Sequence, residues 1–450
     1  MNAPRPIPGL SRRRFITLAA VSGSTAALAA CGGGSSPRDN PAAPASPSGD
    51  GGGDGYDGPA VQLAFWNGFT GGDGPMMKEL VDKFSAEHEN IAVTMTTMQW
   101  GDYYAKLPTA VTAGKGPDIG IMHVDSVATN AARNVIQPLD DVAKALDLKE
   151  SDFAPVPWKA GLYNEQRYSI PLDVHPLGFF YNKDVMEKAG LDPEKPPTNN
   201  DEYLGALEEL KKAGIQGHWA TPFPFTGSMT LQSLIWQFGG SLFNEEGTEV
   251  LWAEEPGVQA LTWYADLIKN GHSPAKVAQD ADYIAFKNGA NAFNWNGIWS
   301  VNDLKQTDIN WGVAALPDIG GTKAAWAGSH QFVLPVQKEQ DANKATASRV
   351  FVNWISEQSL TWAEAGQVPA RNLVRESEEF KAMKEQSELA TQIDDLRFPP
   401  TIPGIGDCFG EFEKAFNAAL LSGTDPAKAL EDSSKRAQKI LEDNAKKYNR

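Results

Sequence analysis

Trp66, Asn67 and Thr70 close or follow an alternating apolar run, Val61 to Trp66, and lead into the glycine-rich stretch Gly71 to Gly74. His123, Asp125 and Ser126 follow a second apolar run, Ile119 to Met122. An indole presents a flat apolar face, while acids, amides and hydroxyls bridge neighbouring polar groups with paired hydrogen bonds. Placed together, such groups suit a polyhydroxylated ring, whose C–H faces stack and whose hydroxyls can be bridged. Asp125 has a second use as a helix cap. Asn296 and Trp299 also follow an apolar segment; Asn donates and accepts at once, and Trp299 could instead pack under a sheet. Phe225 and Thr226 occupy a Pro-rich loop ahead of a helix expected over 229–238. His123, His175 and His330 have the chemistry to ligate zinc, but their spacing is not compact, so no metal or cofactor is expected. Glycosidic cleavage would need two carboxyl groups about 5–9 Å apart. Most acids here fall on predicted helix faces as solvated charge, so an enzyme is not expected.

These residues need elements to position them. The alternation of Val61 to Trp66 predicts a strand, and Met77, Leu80, Val81 and Phe84 at helical spacing predict a helix. Ile91, Val93 and Met95 alternate again, and Pro117 to Met122 reads as a buried parallel strand. Further helices are predicted at 200–213, 256–270, 341–357 and 426–447, the last opened by Thr424-Asp425-Pro426. Strands alternating with amphipathic helices predict an α/β fold with mostly parallel sheets. In such sheets a ligand sits beyond the carboxyl ends of the strands, which is where the residues above lie.

Residues 11–31 read SRRRFITLAAVSGSTAALAAC, with Arg12, Arg13 and Arg14 ahead of an apolar stretch and small residues before Cys31. That pattern is an export signal, and at about 16 apolar or small residues it is short of the ~20 that span a bilayer. Loss of residues 1–30, with four arginines and no acid, takes the net charge from −17 to −21. Such acidity argues against nucleic acid as a partner. Gly32 to Gly58 lacks the apolar residues to offset ordering, so a flexible tether of about 30 Å is expected. The remaining 420 residues exceed what one core normally supports, which predicts two lobes. Cys408 is then the one cysteine of the body apart from Cys31, so no internal disulfide is expected. Of the 13 Trp, 20 Phe and 10 Tyr most must be core, but Trp is high for an ordinary globular domain, and a surplus in an exported chain suggests stacking platforms.

Several segments in order resemble the extracellular solute-binding proteins of ABC sugar importers, most of all maltose and oligosaccharide binders. They include Phe65-Trp-Asn-Gly68, Gly116 to Ile121, Ile170-Pro-Leu-Asp-Val-His175, Phe179 to Asp184, Asn294 to Trp299 and Gly366-Gln-Val-Pro-Ala-Arg371. Ser11 to Ile16 resembles a twin-arginine signal, and Leu28 to Cys31 a lipobox, which implies lipid on Cys31. The resemblance implies two α/β lobes crossed three times by the chain, near 172–177, 288–292 and 331–335. Lobe one would be 59–172 with 292–331, and lobe two 176–288 with 335–450, after an export signal at 1–30 and a linker at 31–58. It also implies ligand contacts from Asp125, Asp173, His175, Trp326, Ser329, His330, Arg371 and Phe409, alongside Trp66, Asn67, Thr70, His123, Phe225, Asn296 and Trp299. His175 stands where those binders commonly carry Glu. The implied partners are a carbohydrate, a membrane permease and the lipid anchor, with the chain itself a monomer. A phosphorylated polyol or a peptide is the alternative solute.

Overall fold

The computed structural model describes residues 55–223 and 225–448; the export segment, Cys31 and most of the linker lie outside these residues. Strands Val61–Asn67 (β1), Ile91–Thr97 (β2) and Ile119–His123 (β3) lie where the alternation predicts them. β1 buries Leu63 and Phe65 beneath helix Asp73–Glu87 (α1), whose Met77, Leu80, Val81 and Phe84 form its inward stripe. Helices Trp100–Thr112 (α2) and Val124–Ala132 (α3) leave from the ends of β2 and β3. β1 pairs in parallel with both β2 and β3.

A small hairpin, Leu162–Tyr163 (β4) and Gln166–Arg167 (β5), leads to Ile170–Pro171 (β6) and then the ten-residue strand Asp173–Asn182 (β7). Every residue of β7 is buried, which fits a strand covered on both faces. Later come Phe293–Gly297 (β8), Trp311–Ala314 (β9), Ala325–Gly328 (β10), His330–Val333 (β11), Val368–Pro369 (β12) and Leu396–Arg397 (β13). One sheet has the order β2-β1-β3-β11-β6; the other runs β12-β7-β10-β13, with β8 and β9 also paired to β7. The expected α/β class with helix-flanked sheets is present. Parallel pairing joins β1 to β2 and β3, and β10 to β13, whereas every strand paired to β7 is antiparallel.

The lobe boundaries carried over by resemblance need correction. β8 and β9, expected in lobe one, pair with β7 through Phe179↔Trp295 and Phe180↔Val313. Conversely, helix Ala342–Glu357, expected in lobe two, packs on β1, with the Phe351 ring 5.2 Å from Phe65 and 5.0 Å from Phe84. The chain passes between the sheets at Leu172, at Ser329 and in the stretch before β12, and not at 288–292. Backbone hydrogen bonds tie these passages together: Leu172 N donates to His330 O, and Ala370 N to Leu172 O. No helix among the described residues is long and apolar enough to cross a membrane.

Candidate functional site

The two sheets meet around a cavity of about 490 Å³, within the range of small-molecule sites. From the first sheet come the loop after β1 (Gly68, Thr70, Gly71, Gly72), Asp73 at the start of α1, Trp100 and Tyr104 of α2, and His123 to Ser126 at the β3–α3 junction. The second sheet contributes His175 of β7, Trp326 and Gly328 of β10, and Trp299. Helix Thr226–Gln237 supplies Met229, and Phe225 precedes it. The after-strand loops therefore converge, as the placement of ligands in open sheets requires.

A band of rings runs across the cavity wall. Trp100 stacks on Tyr104 at 5.8 Å and lies almost parallel to His330 at 5.7 Å. His330 is 4.3 Å from His175, which is about equally distant from Trp326 (6.0 Å) and Trp299 (6.1 Å). Phe225 faces Trp299 at 5.1 Å, is 57% exposed, and holds φ at 77°, a region costly for a bulky residue. Gly68 is needed beneath this band, since a methyl group there would overlap the Trp100 indole.

Buried polar acceptors belong to residues around the same space. Asp73, Asp125 and Gln367 are among the residues lining the cavity, and Asp73 Oδ1, Asp125 Oδ1 and Gln367 Oε1 are buried with no hydrogen-bond partner among the described residues. Burial raises the carboxyl groups of Asp73 and Asp125 above the ordinary range. Three buried orphan acceptors around one cavity are an unmet demand for donors, and each costs stability until filled. Among the described residues, no Lys or Arg lines this cavity or the adjoining compartment of about 400 Å³, which shares Gly71, Gly72, Phe225 and Trp299.

Thr70, His123, Asp125, His175, Phe225, Trp299, Trp326 and His330, all expected from the sequence, line the cavity. Asn296 lines the adjoining compartment, where its Oδ1 accepts from Gly297 N. The other expected residues lie elsewhere. Trp66 packs beside α2, with Lys106 Nζ 4.8 Å from its ring centroid. Asn67 is fully buried, its Oδ1 accepting from Phe69 N and Thr97 Oγ1, so it fixes the loop after β1. Ser329 is buried at the passage between sheets, where its hydroxyl accepts from Gln331 Nε2. Arg371 donates to Ser356 Oγ and Asn353 Oδ1 and lies over the Phe153 ring, bracing its loop. Phe409 packs against Phe243 and Phe412.

Asp173 lies beneath the cavity rather than in its wall. It is wholly buried and accepts from His175 Nδ1 (3.1 Å), His330 Nδ1 (2.7 Å), His330 N (2.9 Å) and Trp362 Nε1 (2.8 Å). Burial alone would raise its carboxyl, but the two imidazoles and their hydrogen bonds hold it well below the usual range. Burial, with His330 alongside, pushes His175 down to about 4. Trp100, Tyr104, Asp73 and Gln367 were missed by sequence reasoning. Trp100 follows β2 by three residues, so the after-strand rule applied to that strand would have found it.

Residues 70–358 match the family described as bacterial extracellular solute-binding protein. The chain is 23% identical over 380 residues to a binding protein of Brucella abortus (strain 2308), which covers 82% of this chain and 90% of that protein. It is 26% identical over 269 residues to the sn-glycerol-3-phosphate-binding periplasmic protein UgpB of Escherichia coli (strain K12), covering 57% and 60%. In fold it is similar to the cyclic alpha-maltosyl-1,6-maltose binding protein from Arthrobacter globiformis, with a TM-score of 0.74 at 22% identity over 86% of this chain and all of that one. Two helix-flanked sheets around a shared cavity agree with a family match across more than half of its length: the chain belongs to the bacterial extracellular solute-binding proteins.

Proposed function

We propose that the protein is the lipid-anchored substrate-binding component of an ABC importer, capturing a carbohydrate, and specifically an oligosaccharide, for delivery to a membrane permease. The observation that carries this reading is the cavity wall itself. Flat rings share that wall with Asp73, Asp125 and Gln367, each of which carries a buried acceptor with no partner among the described residues. Sugar hydroxyls supply the missing donors, and their ring C–H faces meet Trp100, Trp299 and Trp326. The adjoining compartment behind Trp299 and Phe225 extends the space toward a second sugar unit. Solute docks on one lobe, and the other closes over it by hinge rotation. It shifts the open–closed equilibrium only by its extra affinity for the closed form.

A phosphorylated polyol, the solute in the name of the Escherichia coli relative, would want cations, and among the described residues neither compartment has Lys or Arg in its wall. A thermal-shift screen tests the reading. A saccharide at 100 times its Kd should stabilise the protein by about 2.7 kcal/mol, while glycerol 3-phosphate should not. A shift with glycerol 3-phosphate and none with any mono- or oligosaccharide would reverse the assignment.

A further inference from the structure

Three of the chain's six histidines meet in the cavity wall although they lie far apart in sequence. One ring nitrogen each from His123, His175 and His330 lies within 4.8 Å of the other two. A triangle of side 4.8 Å has its centre about 2.8 Å from each corner, against a zinc–imidazole bond of about 2.0–2.1 Å. A common centre therefore lies within about 1 Å of ligand distance from a ring nitrogen of each histidine.

The hydrogen bonds beneath them fix which nitrogens are offered. His175 and His330 each direct Nδ1 at a separate oxygen of Asp173. With Nδ1–H donated there, Nε2 of both rings carries a lone pair. A buried carboxylate behind an imidazole is how metal-bound histidines are oriented and made more basic. Asp173 is itself immobilised by Trp362 Nε1 and His330 N. His123 Nδ1 is 2.9 Å from Tyr104 Oη, which also accepts the His123 backbone N–H. Tyr104 can accept Nδ1–H as well, leaving Nε2 of His123 for the ion. A methyl group at Gly328 would overlap His175 Nε2, so glycine there keeps that nitrogen clear.

We propose that His123, His175 and His330 form a three-imidazole site for a divalent transition-metal ion such as Zn²⁺, with Asp173 as the positioning residue behind two of them. Imidazole suits zinc, copper, nickel and iron. Because all three rings line the cavity, the ion keeps an open position toward it, and an oxygen of the captured solute can fill that position. The site goes beyond the sugar reading and does not depend on it.

The test uses the untagged full chain, stripped with a chelator and dialysed, with no saccharide present. Titration with Co²⁺ should produce visible d–d absorption saturating at one equivalent, and Zn²⁺ should abolish it by competition. His175→Ala and His330→Ala should each weaken binding at least 100-fold, Asp173→Asn about 10- to 100-fold, and His88→Gln not at all. Unliganded melting curves accompany each variant. Should the buried variants fail to fold, His123→Gln, at a partly exposed position, gives the same readout. No saturable Co²⁺ or Zn²⁺ binding by the folded wild type overturns the proposal, as does full binding retained in a folded histidine variant. Either result leaves the saccharide screen standing on its own outcome.

Discussion

Asp125 illustrates what a single side chain can be asked to do. It opens α3, where an acid is favourable near the helix N-terminus, yet its Oδ1 is buried without a donor and burial raises its carboxyl. Asp125→Asn should weaken saccharide binding by about 1–3 kcal/mol, read by calorimetry, without lowering the unliganded melting temperature at pH 7. The sign follows from the raised carboxyl: ionisation opposes folding above the ordinary carboxyl range, and the penalty fades as pH falls and the native group protonates. Arg371 should behave in the opposite way. Arg371→Ala should cost about 1–3 kcal/mol of stability, since it strips donors from Ser356 and Asn353, yet retain the ligand-induced shift. A lost shift with an unchanged melt would return Arg371 to the cavity. Asp125 was legible because its position follows from local pattern: strand, then turn, then helix start. Arg371 and Phe409 rested on matched position alone, and the partners that absorb them come from elements distant in sequence.

At the scale of elements, periodicity located strands and helices well. Helices predicted at 200–213, 256–270, 341–357 and 426–447 are found at Asn200–Lys212, Glu255–Lys269, Ala342–Glu357 and Pro426–Lys447. Their apolar stripes and caps, such as Asp341 and Asp425 accepting from first-turn amides, are local and therefore readable. Pairing is not local. Nothing within Asn294–Trp299 tells whether it joins β1 or β7, and the choice falls to β7 because Phe293 and Trp295 pack with Tyr203. Tyr203 also holds His218, its hydroxyl 2.6 Å from His218 Nδ1, and burial pushes that imidazole down to about 3. Below the ordinary value of 6.5 the unfolded chain binds a proton that native His218 refuses. Stability present above pH 6.5 is therefore lost as pH falls toward 3. The melting temperature of His218→Gln should decline less steeply than wild type between pH 7 and 4; parallel curves would show that His218 does not set this slope.

For the whole molecule, the arrangement divides the labour between two sheets. The first brings Asp73, Trp100, Tyr104, His123 and Asp125; the second brings His175, Phe225, Trp299 and Trp326. Neither set encloses a solute alone, so capture should draw the lobes together, seen as a smaller radius of gyration by X-ray scattering when solute saturates the site. The two-lobed α/β class was legible from length and alternation, whereas the passages at Ser329 and before β12 depend on strand order that no local segment encodes. Equilibrium binding of the full chain to a broad glycan panel tests the central claim most directly. Saturable binding of an oligosaccharide that Asp125→Asn and Trp299→Ala each weaken at least about fivefold is the predicted result. A folded protein that retains no glycan, while a charged or peptidic solute shifts its melt, would contradict the account.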